Sequence, residues 1–319
     1  MKLSIIIPVL NEEQNLLRLY ESIRRAVDPL GLAWEIVFVD DASTDGSVLR
    51  LKEIARKDRR HARIVLLRRN YGQTAAIAAG IDHAEGDTII LMDADLQNDP
   101  ADIPVLIAKL DEGYDVVSGW RKNRKDVFLT RTLPSALANT LISWVTGVHL
   151  HDYGCTLKIY RREILNGFRL YGEMHRFIPA YAYSVGARLT EVVVQHHPRR
   201  YGKSKIKFGR TLRVILDLLT VKFLMSFSVS PIYIFGGTGI ATIFLSMATL
   251  LLLAIRRLFW GISVLGSPFF QIGVMFFVLG FQSILMGLIA ELLIRTYHET
   301  LGKPTYTVRE EINIKSRSK

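Results

Sequence analysis

Two stretches without a charged side chain, Phe223 to Ile255 and Leu258 to Ala290, constrain this chain more than any other feature. Each is 33 residues long, against the ~20 apolar residues that span a bilayer core. A buried helix of a soluble domain is rarely so uniformly apolar for so long, so both runs read as transmembrane helices. Pro231 and Pro268 stand near the start of each run, where proline costs a helix little. Gly236, Gly237 and Gly239 in the first run, and Gly273, Gly280 and Gly287 in the second, would let helices approach closely. Homo-oligomerisation through these glycine-bearing spans is a hypothesis that follows. Two spans leave both chain ends on one side.

Charge sets the expected orientation. Of a formal net charge of +11, eight Lys or Arg fall between His196 and Met225 against one acid, Asp217. Six more basic residues follow Glu291, whereas the connector between the spans carries only Arg256 and Arg257. By the positive-inside rule the amino-terminal domain and both termini are cytoplasmic, making an integral membrane protein with two spans. A basic stretch abutting a span calls for membrane lipid rather than nucleic acid as partner. Cys155 is the only cysteine, which suits a reducing compartment. The apolar start, Leu3 to Pro8, is too short for a signal peptide and reads as a first strand.

The first 120 residues alternate short apolar runs with amphipathic ones. Strands are expected at Leu3–Val9, Glu35–Val39, Ala62–Leu67, Thr88–Met92 and Asp115–Ser118. Helices are expected at Glu13–Val27, Ser47–Lys57, Gln73–His83 and Ala101–Glu112. That alternation implies an α/β class, doubly wound and mostly parallel, with helices on both faces of the sheet. Further on, Ala136–Val145 reads as a helix, Thr156–Tyr160 as a strand, and Tyr181–Thr190 and Glu191–His196 as a helix and a strand. Ile206–Phe227 has a basic face and an apolar stripe and is expected to lie on the membrane as an interfacial amphipathic helix. The tail after Tyr297 is polar, of mixed charge, and expected to be loosely ordered. The domain boundaries are then 1–205, 206–228, 229–294 and 295–319: catalytic domain, juxtamembrane helix, two-helix hairpin and cytoplasmic tail.

Ligands of such sheets bind at the carboxyl ends of the strands. Polar clusters fall there: Asn11-Glu12-Glu13 after the first strand, Asp40-Asp41 through Gly46 after the second, and Asp93-Ala94-Asp95-Leu96-Gln97 after the fourth. The last is the most telling. Two carboxylates spaced i, i+2 at a strand end can face one way, and Mg²⁺ or Mn²⁺ is commonly held by one or two carboxylates plus substrate phosphates. Asp is also an ordinary turn residue, and Ser43, Asp45 and Ser47 read equally as caps of the following helix.

Together, Pro8 to Glu13, Val39 to Gly46, Arg69-Asn70-Tyr71-Gly72-Gln73, Met92 to Pro100 and Gly202-Lys203-Ser204-Lys205 resemble family-2 glycosyltransferases of the GT-A fold. More narrowly the chain is similar to the polyprenyl-phosphate glycosyltransferases, the group of dolichyl-phosphate mannose synthase and the bacterial undecaprenyl-phosphate sugar transferases. The stretch Asp152 to Lys158 looks most like the undecaprenyl branch. The resemblance implies a UDP- or GDP-linked nucleotide-sugar donor, bordered by Pro8, Glu12 and Ala94, with Asp41 at its base. It implies that Asp93, Asp95 and Gln97 hold the cation, Asp93 and Asp95 lying beneath the diphosphate. It implies a polyprenyl phosphate acceptor, gripped by Arg121 and by Arg131 with Ser135. Arginine suits that task because its planar fork binds phosphate oxygens bidentately.

Arg199, Arg200 and Lys205 could close over either the donor diphosphate or the acceptor phosphate. Asp152 is the obvious loop carboxylate for a catalytic role, as base, as sugar-orienting group, or only as a turn residue. A phosphate monoester is already largely ionised near pH 7, so a base is not obligatory. His175 and Arg176 are expected near the sugar, and His196 and His197 at the surface. The reading is an inverting transfer of a monosaccharide to a lipid phosphate at the cytoplasmic leaflet. A chain ending near residue 228 is accordingly expected to keep donor binding nearly intact and to use lipid less well. Two rivals are a processive polysaccharide synthase, which would carry Gln-x-x-Arg-Trp and more spans, and a membrane-anchored nucleotide-sugar sensor without turnover.

Overall fold

The computed structural model describes residues 2–122, 139–140, 142–144, 146–166, 170, 174–198, 232–261, 263–300 and 305–314. The chain divides into two compact units, residues 1–222 with 304–319 and residues 223–303. Arg131, Ser135, Arg199, Arg200, Lys205 and the expected interfacial helix lie outside the described residues. So does half of the expected helix Ala136–Val145, of which residues 139–140 and 142–144 are helical.

In the first unit, strand and helix alternate nearly as the periodicity predicts. The order is β1 (Lys2–Val9), α1 (Glu13–Val27), β2 (Ala33–Asp40), α2 (Ser47–Lys57), β3 (Ala62–Leu67), α3 (Gln73–His83), β4 (Thr88–Leu91), α4 (Ile103–Asp111) and β5 (Val116–Trp120). The β-branched runs of β1 to β4 are buried on both faces, as a sheet covered by helices requires. The core packs Ile5, Ile7, Phe38 and Ile64 from the strands against Leu16, Leu19 and Ile23 of α1, with Leu51 of α2 and Leu106 of α4.

Two departures matter. β6 (Lys158–Arg161) pairs antiparallel between β4 and β5, while β7 (Leu189–Val193) runs parallel to β5. The helix before β7, α5, spans Ile178–Ser184, so both elements begin earlier than expected. Gly186, at φ +90°, ends the helical stretch, a conformation that favours glycine. Among the described residues of the tail, 305–314 are ordered against the expectation. Val308–Ile312 forms β8, pairs antiparallel with β3, and closes an eight-stranded sheet of order β7-β5-β6-β4-β1-β2-β3-β8.

In the second unit, α6 (Ile232–Trp260) and α7 (Pro268–Thr300) pack together. Phe235–Trp260 and Pro268–Ala290 are long and apolar enough to cross a membrane, each with mean hydropathy 2.2. Their outer faces expose Phe244, Leu251, Leu252, Phe269 and Phe281, where a soluble core helix would bury them. Arg256 and Arg257 belong to the last turns of α6, and Gly261, at φ +66°, caps it by donating to the Arg257 carbonyl at 3.0 Å. A Cβ on Gly239 would stand 2.6 Å from the Gly280 carbonyl, so glycine permits this approach. The Ser246 hydroxyl donates to the Gly273 carbonyl at 2.6 Å. Gly239, Gly273 and Gly280 are thus used within the pair, and an oligomer would have to pack other faces.

Candidate active site

The loops after β1, β2 and β4 gather at one end of the sheet, and their backbones are under strain. Asn11, Ala42 and Leu96 each adopt a left-handed conformation, with φ of 52°, 59° and 59°. Such residues cost on the order of 1–3 kcal/mol each and collect where function demands a particular backbone. Pairing of β1 with β4 stops at Ile6, two residues before Pro8. Proline has no N–H to offer a ladder, so β1 continues beside β2 alone to Val9.

The first two loops are locked together. The backbone N–H of Asn11 donates to the Ser43 hydroxyl at 2.9 Å, that of Glu12 to Ser47 at 2.9 Å and that of Glu13 to Asp45 at 3.3 Å. Ser43 and Ser47 therefore clamp the entry to α1 rather than capping α2; Asp45 does both, accepting also the Ser47 N–H at 2.9 Å. Asp41 is buried, and its oxygens accept the N–H groups of Tyr71 and Gly72 at 2.7 and 2.8 Å. Burial pushes its carboxyl above the ordinary range against the pull of those two bonds. Its remaining lone pairs can serve one N–H of a base.

Asp93 anchors the other half. One oxygen accepts from the Gln73 amide at 2.8 Å and the other from the Thr156 hydroxyl at 2.6 Å. Burial, and next the charge of Asp95, push its carboxyl up to about 6. A site that crowds two carboxylates away from water gains from a cation. Asp95 is buried and accepts the Gln97 N–H at 3.1 Å; the Gln97 amide lies 3.5 Å from His196. Among the described residues no group of three or more His, Cys, Asp or Glu could hold a metal. Carboxylate and amide oxygens, of the kind Asp93, Asp95 and Gln97 carry, are the donor types a hard divalent ion takes alongside phosphate and water.

Arg121 and Asp152 meet. The Arg121 guanidinium donates to both Asp152 oxygens, at 2.7 and 2.9 Å, with the carboxylate fully buried. Hydrogen bonding and the charge of Asp152 hold that guanidinium more firmly protonated, against the pull of burial. Beneath them the buried Lys158 ammonium donates to the carbonyls of Tyr153 and Cys155, fixing the loop that carries Asp152 and Thr156. Burial lowers the Lys158 pKa. Sequence reasoning assigned no role to Gln73, Thr156 or Lys158. Gln73 closes the Arg69–Gln73 motif, a signal that could have found it. Thr156 and Lys158 fall in the stretch Asp152 to Lys158, whose resemblance to the undecaprenyl branch was the signal there. His175 accepts from or donates to the Thr74 hydroxyl at 2.7 Å, and His197 bonds Asp99 at 2.8 Å.

The sequence matches the model of glycosyl transferase family 2 over residues 4–168. The chain belongs to that family. It is 43% identical to the dodecaprenyl-phosphate galacturonate synthase of Rhizobium johnstonii, covering 100% of this chain and 95% of that one. It is 35% identical to the undecaprenyl-phosphate 4-deoxy-4-formamido-L-arabinose transferase of Proteus mirabilis, covering 100% and 96%. The glucosyl-3-phosphoglycerate synthase of Mycobacterium tuberculosis, solved with Mn²⁺, UDP and phosphoglyceric acid, superimposes with a TM-score of 0.54 at 20% identity, over 69% of this chain and 78% of that one. The first unit of this family-2 glycosyltransferase is thus a GT-A fold, a mixed sheet flanked by helices.

Proposed function

We propose that this enzyme transfers a monosaccharide from a UDP- or GDP-linked donor to a polyprenyl phosphate, with inversion, at the cytoplasmic leaflet. The observation that carries the reading is the recessed Asp93–Asp95 pair at the end of β4, in a chain similar over its full length to polyprenyl-phosphate sugar transferases. Pro8, Glu12 and Ala94 border the nucleotide, and Asp41 meets its base. Asp93, Asp95 and Gln97 hold Mg²⁺ or Mn²⁺, which when bound neutralises the diphosphate as the sugar's C1–O bond breaks.

The lipid phosphate attacks C1; the phosphate–C1 bond forms and the nucleoside diphosphate leaves with its oxygen. A phosphate monoester with a second pKa of about 6 has largely lost that proton at neutral pH. The Asp152–Arg121 pair supports a transfer without a base, since Asp152 is already engaged in orienting the arginine. Arg121, with Arg131, Ser135, Arg199 and Lys205, supplies the cationic and hydroxyl contacts to the acceptor phosphate. The apolar helices have a physical purpose: a long prenyl chain stays in the bilayer, so the catalytic unit must be held at headgroup level. Both termini are then cytoplasmic, which agrees with β8 joining the same sheet as β1 on either side of an even number of crossings.

Incubating membranes with labelled UDP- and GDP-sugars and extracting into organic solvent tests the reading. A lipid-linked monosaccharide supports it; a polymer supports a processive synthase, and no product with any donor supports a sensor.

A further inference from the structure

The chain that leaves the second apolar helix re-enters the sheet beside the donor loops. β8 pairs with β3 from Ile64↔Ile312 to Leu67↔Val308, with a register shift between Leu66 and Leu67. Past the end of β3, the Arg68 N–H donates to the Thr307 carbonyl at 2.9 Å, and the Arg68 side chain to the Val308 carbonyl at 3.3 Å. The same segment grips α3: the Tyr306 hydroxyl donates to Asp82 at 2.8 Å, and Glu311 meets His83 at 3.2 Å. It also holds α2 through Lys52–Glu310 at 2.8 Å and through Asn313, whose amide donates to the Ala55 carbonyl at 2.9 Å.

Between the contacts at Arg68 and those at Asp82 and His83 lie the loop Arg68 to Gly72 and then the length of α3. That loop supplies both N–H groups to Asp41, and the residue after it, Gln73, donates to Asp93. Gly72 stands at φ +94°, a left-handed conformation that glycine adopts at no steric cost. The Arg69 guanidinium lies over the Tyr71 ring at 4.6 Å, and the neighbouring Thr307 and Arg69 hold the Tyr71 phenol below the ordinary tyrosine range.

We propose that Tyr306–Ile312 is a positioning element of the donor site, which sets the β3–α3 loop and through it Asp41 and Asp93. The carboxy-terminal segment is then part of the machinery that binds the nucleotide, although it follows the membrane hairpin in sequence. A chain ending near residue 228 lacks this element, so it is expected to lose donor affinity as well as lipid use. The inference rests on the nucleotide-sugar reading above.

The test uses full-length Arg68→Met/Tyr306→Phe, a chain ending at residue 304, and that shorter chain supplied with a synthetic peptide of residues 304–314. The double variant should raise the donor KM by about ten- to hundredfold, the size expected for losing a hydrogen bond to a charged group. Its KM for polyprenyl phosphate should stay within about twofold, because the groups assigned to the acceptor are left in place, while kcat falls only as far as Asp93 shifts. The peptide should restore donor affinity to the shorter chain. An unchanged donor KM in the double variant overturns the inference. So does a uniform loss of kcat, both KM values and Tm that the peptide does not reverse, since that is only a weakened fold. Binding of labelled UDP and GDP to the intact protein separates the two failures. If it binds neither, the donor reading falls and the inference with it; if intact and variant proteins bind equally, only the inference falls.

Discussion

Asp152→Asn decides what Asp152 does. In the structure its carboxylate is 3% exposed and its partner Arg121 13%, with two charge-assisted bonds between them. Removing one partner of a buried pair costs about 3–5 kcal/mol, because the other charge is left uncompensated. Asparagine still offers one acceptor, which places the expectation near the lower end. At ~2–4 °C per kcal/mol for a domain of this size, a cost of about 3 kcal/mol lowers Tm by roughly 6–12 °C. The double variant Arg121→Met/Asp152→Leu removes both charges and should recover most of that loss, whereas independent roles would add. Thermal unfolding of the purified protein in detergent, with kcat measured alongside, reads both quantities. If Asp152→Asn left Tm unchanged, cut kcat by ~10²–10⁴ and abolished the acidic limb of the pH profile, Asp152 would be a general base. The positioning argument would then be wrong.

Further expectations follow from other parts of the molecule. Asp93 titrates near 6 in the folded, metal-free chain, above its ordinary 3.8, so its ionised form opposes folding. That penalty is fully present above about pH 6 and fades as pH falls toward 4. Asp93→Asn should therefore raise Tm of the metal-free protein at pH 7.5, by at most about 3 kcal/mol of stability, and give no gain at pH 4; a gain that persists at pH 4 would count against it. Mn²⁺ affinity of the intact protein, measured by calorimetry, should weaken as pH drops below about 6; an affinity flat across that range is the contrary result. Gly280→Leu would drive a side chain into the Gly239 carbonyl, 2.7 Å from its Cβ, and should separate α6 from α7, read as lost cross-linking between cysteines engineered on facing turns. Excising residues 232–300 with a flexible linker while keeping 304–319 should preserve donor hydrolysis and abolish use of long-chain lipid phosphate; equal efficiency on long-chain lipid would contradict the anchoring role.

The amino-terminal two-layer pattern was legible because parallel strands buried on both faces and amphipathic helices leave opposite signatures. Ile5-Ile6-Ile7 and Ile89-Ile90-Leu91 are continuous apolar runs, and α1 repeats Leu16, Leu19 and Ile23 at helical spacing. The placement of Asp93 and Asp95 just past β4 was legible for the same reason, since a buried strand's end is visible in the sequence. β8 was not. Its sequence, Val308 to Ile312, offers two apolar residues among three charges, and its stability comes from partners far away in sequence, Leu66, Lys52 and His83. Period-two alternation of Val308, Glu310 and Ile312 was the faint signal. The Arg121–Asp152 pair was hidden likewise: both residues were singled out, but a contact across 31 positions has no local pattern. Ala42 and Leu96 adopt positive φ although neither residue type favours it, so strain at the site could be seen only in the fold.

The most direct test of the metal-assisted transfer is product stoichiometry in lipid nanodiscs holding the intact enzyme and undecaprenyl phosphate, with the donor that gives turnover. Mass spectrometry of the lipid should find one sugar per phosphate and one nucleoside diphosphate released per sugar transferred, abolished by EDTA and by Asp95→Asn and restored to the wild-type enzyme by Mn²⁺. Transfer that proceeds unchanged in EDTA or in Asp95→Asn would contradict a cation held at the end of β4.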